Sequence, residues 1–178
     1  MVINLTFTIF ILFSILENLN PIEYKGRFAK LGEFPYVVLL QARDSRCTGG
    51  LLEPAWIITA AHCVFDFKLN IKYMPEDINI VAGIIDLKNF NISSKQSSNG
   101  QSIHIHPDYN YHKVSGYDIA LVKLKEPFEL NNYVNIIEMD GDEWPHKDGR
   151  EYRSCIAAGF GGLSKTKLNT KLKKMNVK

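Results

Sequence analysis

From residue 20 onward the apolar residues come in short runs, and no stretch holds a helical period. Tyr36–Ala42 (YVVLLQA), Trp56–Ala60 (WIITA), Ile78–Gly83 (INIVAG), Ser102–His106 (SIHIH), Ile119–Leu124 (IALVKL) and Ser154–Phe160 (SCIAAGF) are each five to seven residues long. They are rich in Ile, Val and aromatic residues, which suit a pleated, half-buried surface. A helix would need apolar residues to recur at three- and four-residue steps over a longer window. Gly49-Gly50, Glu53-Pro54, Met74-Pro75, His106-Pro107-Asp108 and Glu126-Pro127 read as the turns between runs. Many short strands with frequent turns predict an all-β fold, an antiparallel barrel or sandwich. No internal repeat is present.

The charges add little to this and exclude some partners. With 21 Lys plus Arg against 19 Asp plus Glu, the net charge is +2. Such a balance gives no electrostatic reason for a nucleic-acid or membrane-surface partner. Residues Lys165 to Lys178 differ, with six Lys in 14 residues and no acid. No aromatic residue interleaves with these lysines in the sequence, so the segment reads as a solvated basic strand and loop, not a nucleic-acid platform.

Val2 to Leu16 carries no charged side chain, and the first acid is Glu17. Fifteen residues fall short of the roughly 20 that span a bilayer. The length suits the apolar part of a secretory signal peptide, expected over residues 1–19. Secretion would permit disulfides. It would also make Asn91-Ile92-Ser93 a glycosylation acceptor within a polar stretch, Asn89 to Gln101, expected to be an exposed loop.

The segment from Cys47 to Cys63 reads CTGGLLEPAWIITAAHC. Two cysteines bracket a glycine pair, an aromatic-led strand and His62. A bridge between Cys47 and Cys63 would close a 17-residue loop, which the chain-entropy account values at roughly 3 kcal/mol. It would also pin the backbone beside His62. A general base works only within hydrogen-bond reach of its proton donor, so a fixed backbone favours that role. Taken alone, a histidine beside a cysteine reads as a packed core residue.

The surrounding residues resemble the trypsin/chymotrypsin family of serine peptidases. Cys47-Thr48-Gly49-Gly50 is similar to the family's Cys-Gly-Gly strand, with Thr48 in place of a glycine. Trp56-Ile57-Ile58-Thr59-Ala60-Ala61-His62-Cys63 is similar to its Trp-Val-Leu-Thr-Ala-Ala-His-Cys motif. Gly32 to Val38 resembles the entry to the first strand, and His106-Pro107-Asp108-Tyr109-Asn110 the turn before the acid. Gly116 to Leu124 resembles the Asp-Ile-Ala-Leu strand, and Cys155 to Gly161 the Cys-x-x-x-Gly-Trp-Gly segment. The blocks keep the family's order from about residue 23 to the end. The resemblance implies a Greek-key β-barrel of the trypsin-like type, followed by the start of an incomplete second barrel within residues 20–178. It implies His62 as the base and Asp118 as the acid that orients it. It also implies a Cys47–Cys63 disulfide, an unpaired Cys155, protein or peptide substrates or protease partners, and a secreted location.

The family's nucleophile sits in Gly-Asp-Ser-Gly-Gly, and no such string occurs in this sequence. Ser115, Ser154 and Ser164 lack that context and read as turn or strand residues. The resemblance therefore implies a chain that stops early in the second barrel and is inactive as it stands. The stretch from Pro21 to Ala29 also lacks the Ile-Val-Gly-Gly terminus that active members expose. No cofactor or metal is implied. His104 and His106 alternate as strand neighbours, with Asp108 and His112 nearby, but the spacing is generic for zinc. The glycines of Gly159-Phe160-Gly161-Gly162 lack the strand-to-helix setting of a phosphate loop.

Overall fold

The computed structural model describes residues 26–43, 45–66, 69–89, 91–110, 117–139, 155–160 and 170–177. The expected leader over 1–19, most of the stretch from Pro21 to Ala29, and Ser115, Ser154, Ser164 and His112 lie outside these residues.

The described chain forms eleven strands: β1 (Arg27–Phe28), β2 (Val37–Ala42), β3 (Ser45–Glu53), β4 (Trp56–Thr59), β5 (Phe65–Asp66), β6 (Ile71–Lys72), β7 (Ile78–Ala82), β8 (Gln96–Ile105), β9 (Ala120–Leu124), β10 (Cys155–Gly159) and β11 (Lys173–Val177). Six of them close an antiparallel barrel in the order β2-β3-β4-β9-β8-β7. Strands β1, β11 and β10 form a separate antiparallel sheet, with β11 in the middle.

Period-two alternation explains the barrel core. Val38, Leu40 and Ala42 of β2, Ile78, Ile80 and Ala82 of β7, and Ala120, Val122 and Leu124 of β9 meet Leu51, Ile57 and Ile103 inside. Each fully buried aliphatic side chain contributes about 1.5–3 kcal/mol by leaving water. The other face of β2 is also covered. Val37 and Leu39 join Val81, Ala29, Ile84, Phe160 and Leu172 in a second cluster between the barrel wall and the three-stranded sheet. Burial on both faces is why β2 reads as an unbroken apolar run rather than an alternating one.

Two sequence expectations need correction. Gly49-Gly50, read from composition as a turn, lies inside β3. A Cβ on Gly49 would come 2.8 Å from Ile58 O, 2.8 Å from Leu40 Cδ1 and 2.9 Å from Ile57 Cγ2. The glycine is there because neighbouring strands fill the space, not because the chain reverses. The polar stretch Asn89 to Gln101 is not a continuous loop either, since its second half is the start of β8. Its polar side chains serve backbone groups of the following segment. Gln96 donates to Glu129 O at 2.8 Å and accepts from Glu129 N at 2.8 Å, and Ser98 Oγ accepts from Glu126 N at 3.0 Å. Hydrophobicity alone cannot reveal such a strand.

The basic C-terminal segment supplies β11. Lys174 pairs with Glu33, whose carboxyl is held below the usual range by that lysine and by the Lys30 backbone N–H. Phe28 from β1 stands under both Lys171 Nζ (5.5 Å) and Lys173 Nζ (5.6 Å). An aromatic residue thus does interleave with these lysines, brought there by β1–β11 pairing from 143 positions upstream of Lys171. Strand β10 is paired with β11 on one side only, its outer edge has no neighbouring strand among the described residues, and Ile156 is 56% exposed.

Candidate active site

Strand β4 ends at Thr59, and extended Ala60 leads into a single 3₁₀ turn, Ala61–Val64. The turn is closed by Cys63 N–H donating to Ala60 O at 3.1 Å. Ala61, Cys63 and Val64 point into the protein, which leaves His62 as the turn's outward side chain. Cys63 is disulfide-bonded to Cys47 of β3, with Cα atoms 5.9 Å apart. His62 is therefore gripped by β4 on one side and by a covalent tie to β3 on the other.

Asp118 precedes β9, the barrel neighbour of β4. Its carboxylate takes two hydrogen bonds from the same residue. Oδ2 accepts from His62 Nδ1 at 2.7 Å, and Oδ1 accepts from the His62 backbone N–H at 2.9 Å. The first fixes the ring and the second fixes the backbone, so the imidazole cannot rotate without breaking a short bond. With Nδ1–H committed to Asp118, Nε2 is the atom available for proton transfer. It lies 3.4 Å from Cys63 Sγ, a disulfide sulfur with no proton to give. The side chains remain partly open to solvent, 51% exposed for His62 and 38% for Asp118.

The electrostatics follow from these contacts. Partial burial pushes the Asp118 carboxyl up, but the His62 ring, the His62 N–H and the Ala61 N–H together outweigh it and bring the pKa below the usual aspartate value. A depressed carboxyl contributes stability above the unfolded pKa and loses it as pH falls through the folded pKa. Urea unfolding should therefore show stability declining below about pH 3.9, with a shallower decline in Asp118→Asn. Glu33 titrates in the same direction, so the difference between the two proteins is the quantity to read; identical acid limbs would show that Asp118 gains nothing from folding. Tyr109 is coupled to the same group, its phenol pushed up first by burial and second by the Asp118 charge.

The other candidates fall elsewhere. Cys155 is an exposed free thiol at the start of β10. Asn91 is exposed, on the loop that leads into β8. His104 and His106 do not act together. His104 Nε2 contacts Ser102 Oγ at 3.0 Å and its ring lies 5.6 Å from Trp56, whereas His106, beyond the end of β8, stacks on Tyr117. Cys47, His62 and Cys63 crowd together within 4.8 Å, but the two sulfurs are spent on each other and offer no thiolate. The sequence alone assigns no role to Thr48, noted only as a departure from glycine, or to Tyr117. Thr48, the departure from glycine, accepts from Phe160 N–H through its hydroxyl at 3.2 Å and from the Thr59 hydroxyl through its carbonyl at 3.2 Å. It ties the barrel to the three-stranded sheet.

A closed six-stranded antiparallel barrel, with a disulfide-anchored histidine held against a carboxylate between β4 and β9, defines the class of trypsin-like β-barrel proteins. The family model described as Trypsin matches residues 23–178. Over 144 residues the chain is 37% identical to coagulation factor IX of Cavia porcellus, an alignment that covers 78% of this chain and 46% of that protein. The chain thus spans less than half the length of that relative. It belongs to the trypsin family of serine peptidases. Among the described residues, no helix is long and apolar enough to cross a membrane.

Proposed function

We propose that this chain carries the base-and-acid half of a secreted trypsin-like serine endopeptidase acting on proteins or peptides. The observation that carries this reading is the double hydrogen bond between Asp118 and His62. In peptide hydrolysis by such a site, His62 Nε2 takes the proton from an attacking serine hydroxyl and later returns it to the leaving amine. Asp118 keeps the ring in the right tautomer and stabilises the imidazolium as it forms. The sequence contains no Gly-Asp-Ser-Gly-Gly string, and on this reading the nucleophile and the oxyanion donors belong to sequence other than these 178 residues. The dyad alone has nothing to activate and no developing oxyanion to stabilise. The three-stranded sheet is on this reading the beginning of the second barrel. Cys155 waits there for a partner, and Asn91 is an acceptor for a glycan during secretion.

A second reading, a non-catalytic protease homologue that binds or regulates other proteins, draws support from the stretch Pro21 to Ala29, where no basic residue precedes an Ile-Val-Gly-Gly terminus. The two are separated by exposing the natural protein from its source tissue to a serine-directed phosphonate. Covalent labelling is expected for the peptidase, and its absence from every product of the gene would favour the homologue. The 178-residue chain by itself is expected to leave a mixed peptide library uncut. Time-dependent cleavage, lost in His62→Ala, would show that the nucleophile lies within it.

A further inference from the structure

Tyr117 stands immediately before Asp118 and adopts φ +66°. A bulky residue in left-handed backbone is an outlier that persists only when its surroundings impose it. Burial does not impose it here, since Tyr117 is 57% exposed. Its ring is in contact instead: Tyr117 lies on His106 with centroids 4.7 Å apart and planes 18° from parallel. The His106 ring is itself fixed, because its Nδ1 accepts from Asp108 N–H at 3.2 Å. The His106 backbone N–H, in turn, donates to Ile119 O at 3.1 Å. Between these two anchors the chain turns tightly, with Ile119 N–H donating to Tyr117 O at 2.7 Å and Asp118 at the apex. That apex is the point from which the carboxylate reaches both the ring and the backbone of His62.

We propose that Tyr117, stacked on His106, is a positioning residue: the ring pair holds the left-handed turn that aims Asp118 at His62. The pair touches no reacting atom and acts only through Asp118. Its meaning for catalysis rests on the proposed proton relay, whereas the geometric effect is measurable without turnover. A chain with φ below zero at residue 117 would enter Asp118 from another direction and could not keep both hydrogen bonds.

The test is the titration of the Asp118 carboxyl, followed by carbon NMR in the full 178-residue chain. In the unsubstituted protein it should titrate below about 3.9, the ordinary aspartate value. Tyr117→Phe keeps the ring and should keep the depressed value. Tyr117→Ala and His106→Ala each remove one half of the stack and should abolish the depression of the Asp118 carboxyl, since burial, which raises it, is then no longer outweighed by the His62 hydrogen bonds, while the thermal transition persists. Tyr117→Gly accepts positive φ without a ring, and is expected to lose part of the depression. Full depression in Tyr117→Gly, or in His106→Ala, would show the stack to be dispensable and overturn the proposal. Should Tyr117→Ala fail to fold, His106→Ala decides the matter, because it leaves the backbone at 117 untouched. An ordinary Asp118 value already in the unsubstituted protein would overturn the dyad itself, and the proposal with it.

Discussion

Exchanging Cys47 and Cys63 together for serine lowers the free energy of unfolding by about 3 kcal/mol, the value expected for opening a 17-residue loop in the denatured chain. The bond joins β3 to the turn that carries His62, so the loss is local as well as global. Without it, the turn after β4 is held by two backbone hydrogen bonds, Cys63 N–H to Ala60 O and Tyr73 N–H to Val64 O, and by the packing of Ala61 and Val64. The two hydrogen bonds from His62 to Asp118 then act on a looser segment, and amide exchange at His62 should speed up more than exchange at Ile57 or Val122 in the barrel wall. Urea titration of the oxidised and the double-serine proteins measures the first effect, and native-state exchange the second. A loss below 1 kcal/mol, or uniform acceleration of exchange, would mean that the barrel alone fixes the turn.

Much of this architecture is legible in the residues, for reasons that differ from one part to another. Strands β2, β4, β7 and β9 announce themselves because their buried residues are mostly apolar and their ends are marked by turn residues, whereas β10 is legible only as a short apolar run, its first three residues being exposed. The His62 turn is legible because the run from Trp56 to Cys63 packs a strand, a histidine and a cysteine into eight positions. Strand β8 is half hidden, since Gln96 and Ser98 bond to the backbone of the 126–129 segment, and such pairing leaves no hydrophobic trace. Gly49 misleads for the opposite reason. Glycine marks a turn when the backbone needs its freedom, but here it marks contact with Leu40, Ile57 and Ile58 on other strands. The Phe28 and Lys171/Lys173 cluster depends on strand pairing across more than 140 residues, which no local pattern contains. The Tyr117–His106 stack is hidden in the same way, although both residues lie within one short stretch of chain. Nothing in the letters shows that residue 117 turns left-handed.

Leu40→Ala should cost about 2–5 kcal/mol, the range for removing a large aliphatic side chain from a packed core. Leu40 is 1% exposed and sits at the middle of β2, opposite Cys47 on one neighbouring strand and Ile80 on the other. Its Cδ1 fills the space beside Gly49, where even a methyl group would collide. Backbone on both flanking strands is held by ladder hydrogen bonds, so the walls cannot collapse readily into the gap, and the cost belongs toward the upper part of that range. Leu40→Met keeps the volume and should lose less than about 1.5 kcal/mol. Leu31→Ala, at an exposed position, should stay within about 0.5 kcal/mol of the parent. A domain of this size is stable by only about 5–15 kcal/mol, so the first substitution alone removes a large part of the margin. Because Leu40 faces Cys47 in register, its cavity and the opened disulfide loosen the same strand pair, and combining them should depart from additivity by at least 0.5 kcal/mol. Denaturant midpoints of the four proteins decide the point: a Leu40→Ala loss no greater than that of Leu31→Ala would mean that the barrel interior is not packed as its side chains indicate, and the grip on His62 would then need another source.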